Sequence, residues 1–209
     1  MSEYRNIKAI IIGSSGTGKT NIIKAAIDEP FEEDNKSTLT SSFVSKNIKI
    51  EKKTYHLDLW DTAGQERFKS LAKNIIRNAD GIILIYDMSN YNFFKAIKTW
   101  INIIEDSIDI TKIGIIIVGS KCDLTENEIK VDKEIKDDFE KEHNMKIIEA
   151  SAKNSINVND TFLVLIKKMI ELDLGKNKSD DDDYEPIKLR ISRTRNERYN
   201  NICCGFGNK

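Results

Sequence analysis

The sequence predicts an α/β fold in which a mainly parallel sheet is covered by helices on both faces. Short apolar runs alternate along the chain with segments whose apolar residues recur at helical spacing, a pattern typical of β–α units. The runs at residues 81–86 and 113–118 are apolar almost throughout, as expected for strands that are buried on both faces of a sheet.

The other elements are predicted in chain order from the same patterns. Residues 7–12 form a first strand, and residues 21–27 form a helix soon after it. Residues 43–50 and 54–60 alternate between apolar and polar around a short polar turn, which favours an antiparallel hairpin. A last strand is expected at residues 146–149. Further helices are expected at residues 66–77, 91–104, 133–141 and 158–172.

Composition excludes several classes of protein. A chain of 209 residues is long enough for one domain with a full core and a tail. Its net charge of −1 gives no reason to expect nucleic-acid binding, and no apolar run reaches membrane-spanning length. The chain starts directly before the first strand, so no signal sequence is expected. Three cysteines do not make a disulfide framework, which favours a reducing compartment, and we expect Cys122 to be a small buried apolar residue.

The most informative stretch is residues 13–20, which has the spacing G-x-x-x-x-G-K-[ST] between a predicted strand and a predicted helix. This is the context of a phosphate-binding P-loop. Gly13, Gly16 and Gly18 let the backbone curl so that N–H groups point at one anion, and the helix N-terminus adds its dipole. Lys19 supplies a charge for the outer phosphates, and the Thr20 hydroxyl can bind Mg²⁺. A purely structural glycine-rich turn is the alternative, against which the strand–loop–helix context argues.

Three further motifs follow predicted strands in order: Asp-Thr-Ala-Gly-Gln-Glu at 61–66, Lys-Cys-Asp at 121–123 and Ser-Ala-Lys at 151–153. With the P-loop, they resemble the phosphate, magnesium and guanine motifs of small GTPases of the Ras superfamily. Residues 60–68, Trp-Asp-Thr-Ala-Gly-Gln-Glu-Arg-Phe, are most similar to the Rab family. The resemblance covers residues 6–172. It implies a P-loop NTPase fold with a six-stranded, mainly parallel sheet, one antiparallel edge strand and helices on both faces.

The resemblance implies a magnesium site and a catalytic set. Thr20, Thr38 and Asp61 are the implied metal ligands, since carboxylate and hydroxyl oxygens suit Mg²⁺. Gln65 is expected to orient the attacking water, and Lys19 and Thr38 complete the catalytic set. Taken alone, Asp61 would be read as a strand-end cap and Gln65 as a solvated loop residue. The order of the motifs reverses the first reading, while the role of Gln65 rests on the resemblance alone.

The resemblance also implies a guanine site. Asp123 can accept hydrogen bonds from the guanine N1–H and exocyclic amine, a pair of donors that adenine lacks. Lys121 is expected to lie over the base and to tie back to the P-loop, the Ala152 N–H to meet the guanine O6, and Phe31 to pack against the base. The implied nucleotide-binding residues are Ser15, Gly16, Thr17, Gly18, Lys19, Thr20, Phe31, Thr38, Gly64, Ser120, Lys121, Asp123, Ser151, Ala152 and Lys153.

The sequence departs from the family pattern at several positions. Ser120 stands where the family has an asparagine that contacts the base N7 and braces the P-loop. Serine is shorter, so we expect neither contact directly, and guanine affinity should fall while discrimination through Asp123 is retained. Residues 40–42 replace the Gly-Val-Asp after switch I, and Ile75 and Ile76 replace a tyrosine pair, which predicts unusual partners. Ser15 stands where Ras proteins have glycine, a change that Rab proteins accept.

The implied function is that of a Rab-like GTPase, a GTP/GDP-switched regulator of vesicle trafficking that hydrolyses GTP slowly with Mg²⁺. Exchange factors, GTPase-activating proteins and effectors are the expected partners, and a monomer is expected. Two alternatives remain. One is a nucleotide-binding module with little or no hydrolysis, suggested by Ser120 and the altered switch I. The other is a Ras-like signalling GTPase outside the Rab family.

Composition divides the chain into a GTPase domain at residues 1–172 and a flexible tail at 173–209. Cys203 and Cys204 resemble the double cysteine that Rab proteins geranylgeranylate, although five residues follow it here. A prenylated tail would make this a cytoplasmic protein that cycles to the cytosolic face of an intracellular membrane. The alternative is a disordered end with two incidental thiols. Basic residues upstream would favour anionic lipid; they are Lys188, Arg190, Arg193, Arg195 and Arg198.

Overall fold

The computed structural model describes residues 5–33, 42–51, 53–62, 69–131, 133–143, 145 and 147–176. Six strands and five α-helices alternate along this part of the chain. The strands are β1 (Arg5–Ile12), β2 (Ser42–Ile50), β3 (Lys53–Asp61), β4 (Gly81–Asp87), β5 (Gly114–Ser120) and β6 (Ile147–Ala150). The helices are α1 (Lys19–Ala26), α2 (Lys69–Arg77), α3 (Phe93–Glu105), α4 (Lys133–His143) and α5 (Val158–Lys176).

The strands form one sheet in the order β2-β3-β1-β4-β5-β6. Strand β1 runs parallel to both β3 and β4, and β5 runs parallel to β4 and β6. Only the edge strand β2 is antiparallel, because a short turn joins it to β3 in a hairpin. The six-stranded, mainly parallel sheet with one antiparallel edge is therefore confirmed.

Helices cover both faces of the sheet, as predicted. Each central strand sends successive side chains to opposite faces: in β4, Ile83 and Ile85 join one buried cluster, whereas Ile82 and Leu84 join the other. The first cluster includes Ile22 from α1 and Phe162 from α5. The second includes apolar residues from α2, α3 and α4. Two cores with the sheet between them explain why β4 and β5 are continuous apolar runs.

The observed ends of the elements differ from the predicted ones by a few residues. Helix α1 begins at Lys19, two residues before its apolar pattern, because the P-loop residues themselves form its first turn. Helix α5 continues to Lys176, four residues beyond the predicted end at 172. Residues 66–68 of the predicted second helix lie outside the described residues.

The fold brings the predicted motifs to one edge of the sheet. The P-loop follows β1, Asp61 ends β3, Ser120 ends β5 and Ser151 follows β6. Because parallel strands end at the same edge, this is where an open α/β sheet forms its binding crevice. By contact pattern the chain forms two units, residues 1–177 and 178–209, and the second lies outside the described residues. Within the described residues, no helix has the length and apolar character needed to span a membrane.

Candidate functional site

The loop after β1 is curled tightly by glycines. Gly16 and Gly18 have φ angles of +78° and +86°, in the left-handed region that favours glycine. Gly13 is required for a different reason, because a Cβ atom there would lie 2.1 Å from the carbonyl oxygen of Ile85. The loop therefore rests directly on the β4 backbone.

The start of α1 is open toward the loop. Gly18 is its N-cap and makes no side-chain capping hydrogen bond, and the first turn contains no acidic residue. The first N–H groups and the helix dipole therefore favour an anion. Lys19 is buried, and its Nζ donates to the carbonyl oxygens of Gly13 (2.9 Å) and Ser14 (2.8 Å). Its ammonium charge is thus held inside the curl of the loop.

A buried carboxylate and a hydroxyl meet beside this loop. Asp61 is only 1% exposed, and the Thr20 hydroxyl donates to its Oδ2 at 2.7 Å. Its other oxygen, Oδ1, is buried and has no hydrogen-bond partner among the described residues. Burial raises the pKa of this carboxyl, although the Thr20 hydrogen bond and the Lys19 charge act against the rise. A buried oxygen without a donor, beside a hydroxyl, fits a hard cation such as Mg²⁺.

Ser120 joins the P-loop to the sheet. Its hydroxyl lies 2.6 Å from the carbonyl oxygen of Thr17 in the P-loop and 2.8 Å from that of Tyr86 in β4. The side chain is only 2% exposed. The expectation that a serine is too short to reach the P-loop was therefore wrong, because β5 ends close enough to the loop for a short side chain to bridge them.

The next residue, Lys121, is held by a partner that the sequence motifs did not indicate. Its Nζ lies 2.6 Å from Oδ2 of Asp87, at the end of β4. The backbone N–H and hydroxyl of Ser89 donate to Oδ1 of the same carboxylate. Burial would raise the pKa of Asp87, but the hydrogen bonds from Lys121 and Ser89 lower it below its usual value. Lys121 is thus tied to β4 through Asp87, where the resemblance implied a tie to the P-loop.

The proposed base-binding residues surround the same edge. Asp123 is half-buried, and no hydrogen bond or ion pair involves its carboxylate within the described part of the chain. Ser151 is fully buried, and its hydroxyl accepts from the Asn154 N–H, which shapes the turn that carries Ala152. Phe31 is 39% exposed.

An ion pair links the turn after β6 to the segment that follows α1. Lys153, after β6, lies 3.6 Å from Glu33, in the segment after α1 that contains Phe31. Both side chains are more than half exposed, so the pair adds little stability. It does bring the Phe31 segment close to the Ser151 turn.

Of the remaining residues that the sequence singled out, some lie in the described part of the chain and others lie outside it. Ser15 is exposed, and Thr17 is buried with its hydroxyl donating to the Ser14 carbonyl. Cys122 is buried as predicted, and burial, with the nearby Glu149 and Asp123 carboxylates, raises its pKa to about 11. The other predicted residues lie outside the described part of the chain: Thr38, Gly64, Gln65, Cys203 and Cys204.

The hairpin carries an aromatic pair that consists of an exposed ring and a partly buried one. The rings of Phe43 and Trp60 meet edge to face with centroids 5.2 Å apart, and Phe43 is 52% exposed. Ile75 is half-buried against the core, whereas Ile76 is fully buried in it. Of the two isoleucines that depart from the family pattern, only Ile75 can therefore change the surface.

Comparisons with known proteins agree with this geometry. The profile of the Ras family matches residues 8–171. The GTP-binding protein YPT1 of Saccharomyces cerevisiae is 34% identical over 171 residues, which cover 81% of this chain and 82% of the relative. The Ras-related protein Rab-8B of Dictyostelium discoideum is 33% identical, covering 97% of this chain and 90% of the relative. The Ras-related protein Rab-13 of Bos taurus is 37% identical, covering 78% and 79%.

Proposed function

The chain belongs to the Ras family and is a Rab-like small GTPase, and from this premise we propose how it binds and hydrolyses GTP and what it does in the cell. It acts as a GTP/GDP-switched regulator of vesicle trafficking. The observation that carries the proposal is the buried Asp61 carboxylate beside Thr20 and the curled P-loop. An acceptor for a divalent cation next to a phosphate cradle is what a Mg²⁺–nucleoside triphosphate needs.

Each part of the site has a defined task in this proposal. The P-loop N–H groups and the Lys19 ammonium hold the β- and γ-phosphates, and they neutralise charge that develops during phosphoryl transfer. Thr20, Asp61 and Thr38 would hold Mg²⁺, which would supply positive charge to stabilise the charge that develops on the phosphates. Gln65 orients the water that attacks the γ-phosphate, and the Gly64 N–H contacts the same phosphate. By analogy with Ras itself, turnover without a partner is slow.

Two measurements test the activity. Nucleotide released by denaturing the purified protein identifies the ligand, and GDP or GTP is expected. Single-turnover hydrolysis with Mg²⁺ then measures the chemical step. Gln65→Leu should lower this rate at least tenfold while GTP affinity persists, because leucine cannot orient water. Equal rates in variant and parent would remove Gln65 from the mechanism, and no turnover in the parent would favour the nucleotide-binding module.

The phosphate site has its own test. Lys19→Ala removes the charge that lies inside the loop, and Thr20→Asn disturbs the metal contact. Both variants should lose Mg²⁺–GTP affinity at least tenfold in isothermal titration. Unchanged affinity in both variants would contradict the assignment of residues 13–20.

Guanine recognition is proposed to rest on Asp123. Asp123→Asn should shift preference from GTP toward xanthosine triphosphate, since the amide can donate to the C2 carbonyl of xanthine, which a carboxylate repels. Competition of the two nucleotides against a fluorescent GDP measures the preference. A variant that keeps the full preference for GTP would place guanine recognition elsewhere.

We also propose the wider setting of the protein. It works as a monomer with exchange factors, GTPase-activating proteins and effectors. It cycles between the cytoplasm and the cytosolic face of an intracellular membrane, through a prenylated tail at Cys203 and Cys204. The exposed Phe43, which meets the partly buried Trp60 in the hairpin, supports a protein-contacting role for this part of the surface.

A further inference from the structure

We propose that Ser120 is a positioning residue that fixes the P-loop, and that this protein binds guanine without a hydrogen bond from residue 120 to N7. The proposal rests on the proposed function, because it takes the guanine base to lie at the edge formed by Lys121, Asp123 and Ala152. Its test separates failure of this proposal from failure of that function.

The geometry around Ser120 commits its single proton to the backbone. A serine hydroxyl has one hydrogen to donate and two lone pairs that accept. Its Oγ lies within hydrogen-bond distance of two carbonyl oxygens, those of Thr17 and Tyr86. Both neighbours are acceptors, so the proton is shared between them and is not available to a ligand.

The two carbonyls belong to different parts of the fold, and the Ser120 hydroxyl joins them in addition to the close approach of Gly13 to the Ile85 carbonyl. Tyr86 lies in β4, which β1 and β5 hold on either side. Thr17 lies in the P-loop, between the glycines that curl it, and is buried. The Ser120 hydroxyl therefore fixes the height of the loop over the sheet. Removing it would leave the buried Thr17 carbonyl with one hydrogen bond fewer, which is unfavourable in the protein interior.

The same geometry limits what the site can read on the base. Guanine N7 is an acceptor and carries no proton, so only a donor can bind it. Ser120 is only 2% exposed, and its hydroxyl proton is directed at the backbone carbonyl oxygens of Thr17 and Tyr86. Base recognition then depends on the edge that faces Asp123, and replacing N7 should not change affinity.

The test compares GTP with 7-deaza-GTP, in which a C–H group replaces N7. The wild-type protein should bind the two with affinities within about twofold. Ser120→Ala should weaken both by the same factor, roughly three- to tenfold from the loss of one ordinary hydrogen bond. An equal loss for both nucleotides identifies an effect through the P-loop, since a lost base contact would affect GTP alone.

Two further variants complete the design. Ser107→Ala removes a half-buried hydroxyl that donates to the Ile103 carbonyl at the end of α3, away from the P-loop. It controls for general loss of stability and should change neither affinity. Ser120→Asn provides two amide protons, one for the P-loop carbonyl and one for N7. Unlike Ser120→Ala, the Ser120→Asn variant should not lose GTP affinity relative to the wild-type protein. It should prefer GTP over 7-deaza-GTP by at least threefold.

Two outcomes overturn the proposal. The first is a wild-type protein that binds GTP more than fivefold tighter than 7-deaza-GTP. The second is a folded Ser120→Ala variant whose affinities equal those of the parent. The wild-type comparison needs no variant, so it stands even if Ser120→Ala does not fold. A wild-type protein that binds neither nucleotide contradicts the proposed function instead.

Discussion

At the scale of single residues, Asp87 links two parts of the site that the motifs treat separately. Its carboxylate accepts from Lys121 and from Ser89, and its side chain is 14% exposed. Asp87→Asn keeps the shape and removes the charge. We expect a loss of about 1.5–3 kcal/mol in stability, the range for hydrogen bonds to charged groups, and weaker guanine nucleotide binding, since Lys121 loses its anchor.

The pKa of Asp87 gives this prediction a pH dependence. The folded-state pKa is lowered, so the charged carboxylate adds stability above the unfolded-state pKa of about 3.9. That contribution is lost as pH falls through the lower folded-state pKa. Urea unfolding from pH 7 down to pH 3 should therefore show the difference between parent and variant shrinking below about pH 4. Asp106→Asn is the control, because Asp106 forms an exposed ion pair with Lys73. An equal loss of stability in that variant would mean that the Asp87 carboxylate contributes no more than an exposed one.

A second residue-scale prediction concerns Asp61. Its carboxylate is buried with one oxygen unpartnered and its pKa is raised, so in the absence of metal the charge is unfavourable. Asp61→Asn should leave the metal-free protein at least as stable as the parent. The stabilisation that Mg²⁺ gives the GDP complex should fall by at least half. Thermal unfolding with Mg²⁺ and with EDTA measures both, and an undiminished Mg²⁺ effect would place the metal on other ligands.

These residues also show where sequence reasoning stops. The P-loop could be predicted from its spacing between a strand and a helix, and Asp61 and Asp123 were singled out by the resemblance of their motifs, which follow strands. Asp87 could not, because its role depends on β4 and β5 lying side by side and ending together. Its position at a strand end, one residue beyond the apolar run, was the available signal. The reach of Ser120 was misjudged for the same reason, since side-chain length alone says nothing about how close two backbones come.

At the scale of elements, α5 packs closely on the first residues of β4 and β5. A Cβ atom on Gly114 would lie 2.6 Å from Cγ of Met169, and one on Gly81 would lie 2.9 Å from its Sδ. Gly114→Ala should therefore destabilise the fold by about 1–3 kcal/mol through overpacking. The free energy of unfolding in urea measures this loss.

A double-mutant cycle gives the control for that contact. Met169→Ala alone leaves a cavity and should be destabilising, but it removes the atom that the new methyl group would meet. The double variant should therefore lose less stability than the sum of the two single losses, with a coupling above about 0.5 kcal/mol. Simple additivity would mean that α5 shifts away from the sheet instead.

Element types were predicted better than element ends, and the reason is physical. Continuous apolar runs and apolar periodicity report which residues are buried, so together they located the six strands and five α-helices of the described residues. Ends depend on local contacts that periodicity does not record. Helix α1 starts at Lys19 because it follows the glycine loop directly, with Gly18 as its N-cap. Residues 19 and 20 are polar because they belong to the candidate site, so they fall outside the apolar pattern.

At the scale of the whole molecule, the folded domain and the tail have separate tasks in our proposal. The domain carries the nucleotide site and the Phe43–Trp60 surface. Attachment to the membrane is assigned to Cys203 and Cys204 and to the basic residues before them. One lipid chain gives only marginal, reversible binding, whereas two signals together hold a protein stably on a membrane. The two adjacent thiols provide for two chains, and the basic residues add an attraction that salt screens.

The tail prediction is tested in the native cell. Changing both Cys203 and Cys204 to serine should move the protein from the membrane fraction to the cytosol. Neutralising the basic residues, with both cysteines kept, should weaken membrane binding mainly at low salt, because only the electrostatic part is lost. The control is Cys122→Ser: Cys122 is buried, its thiol has a raised pKa of about 11, and its replacement should leave the distribution unchanged.

Intact-mass analysis of the membrane fraction decides whether Cys203 and Cys204 carry lipid, because two geranylgeranyl groups add a defined mass. Unmodified protein on the membrane would reject the lipid anchor and would leave charge or a bound partner as what holds the chain there.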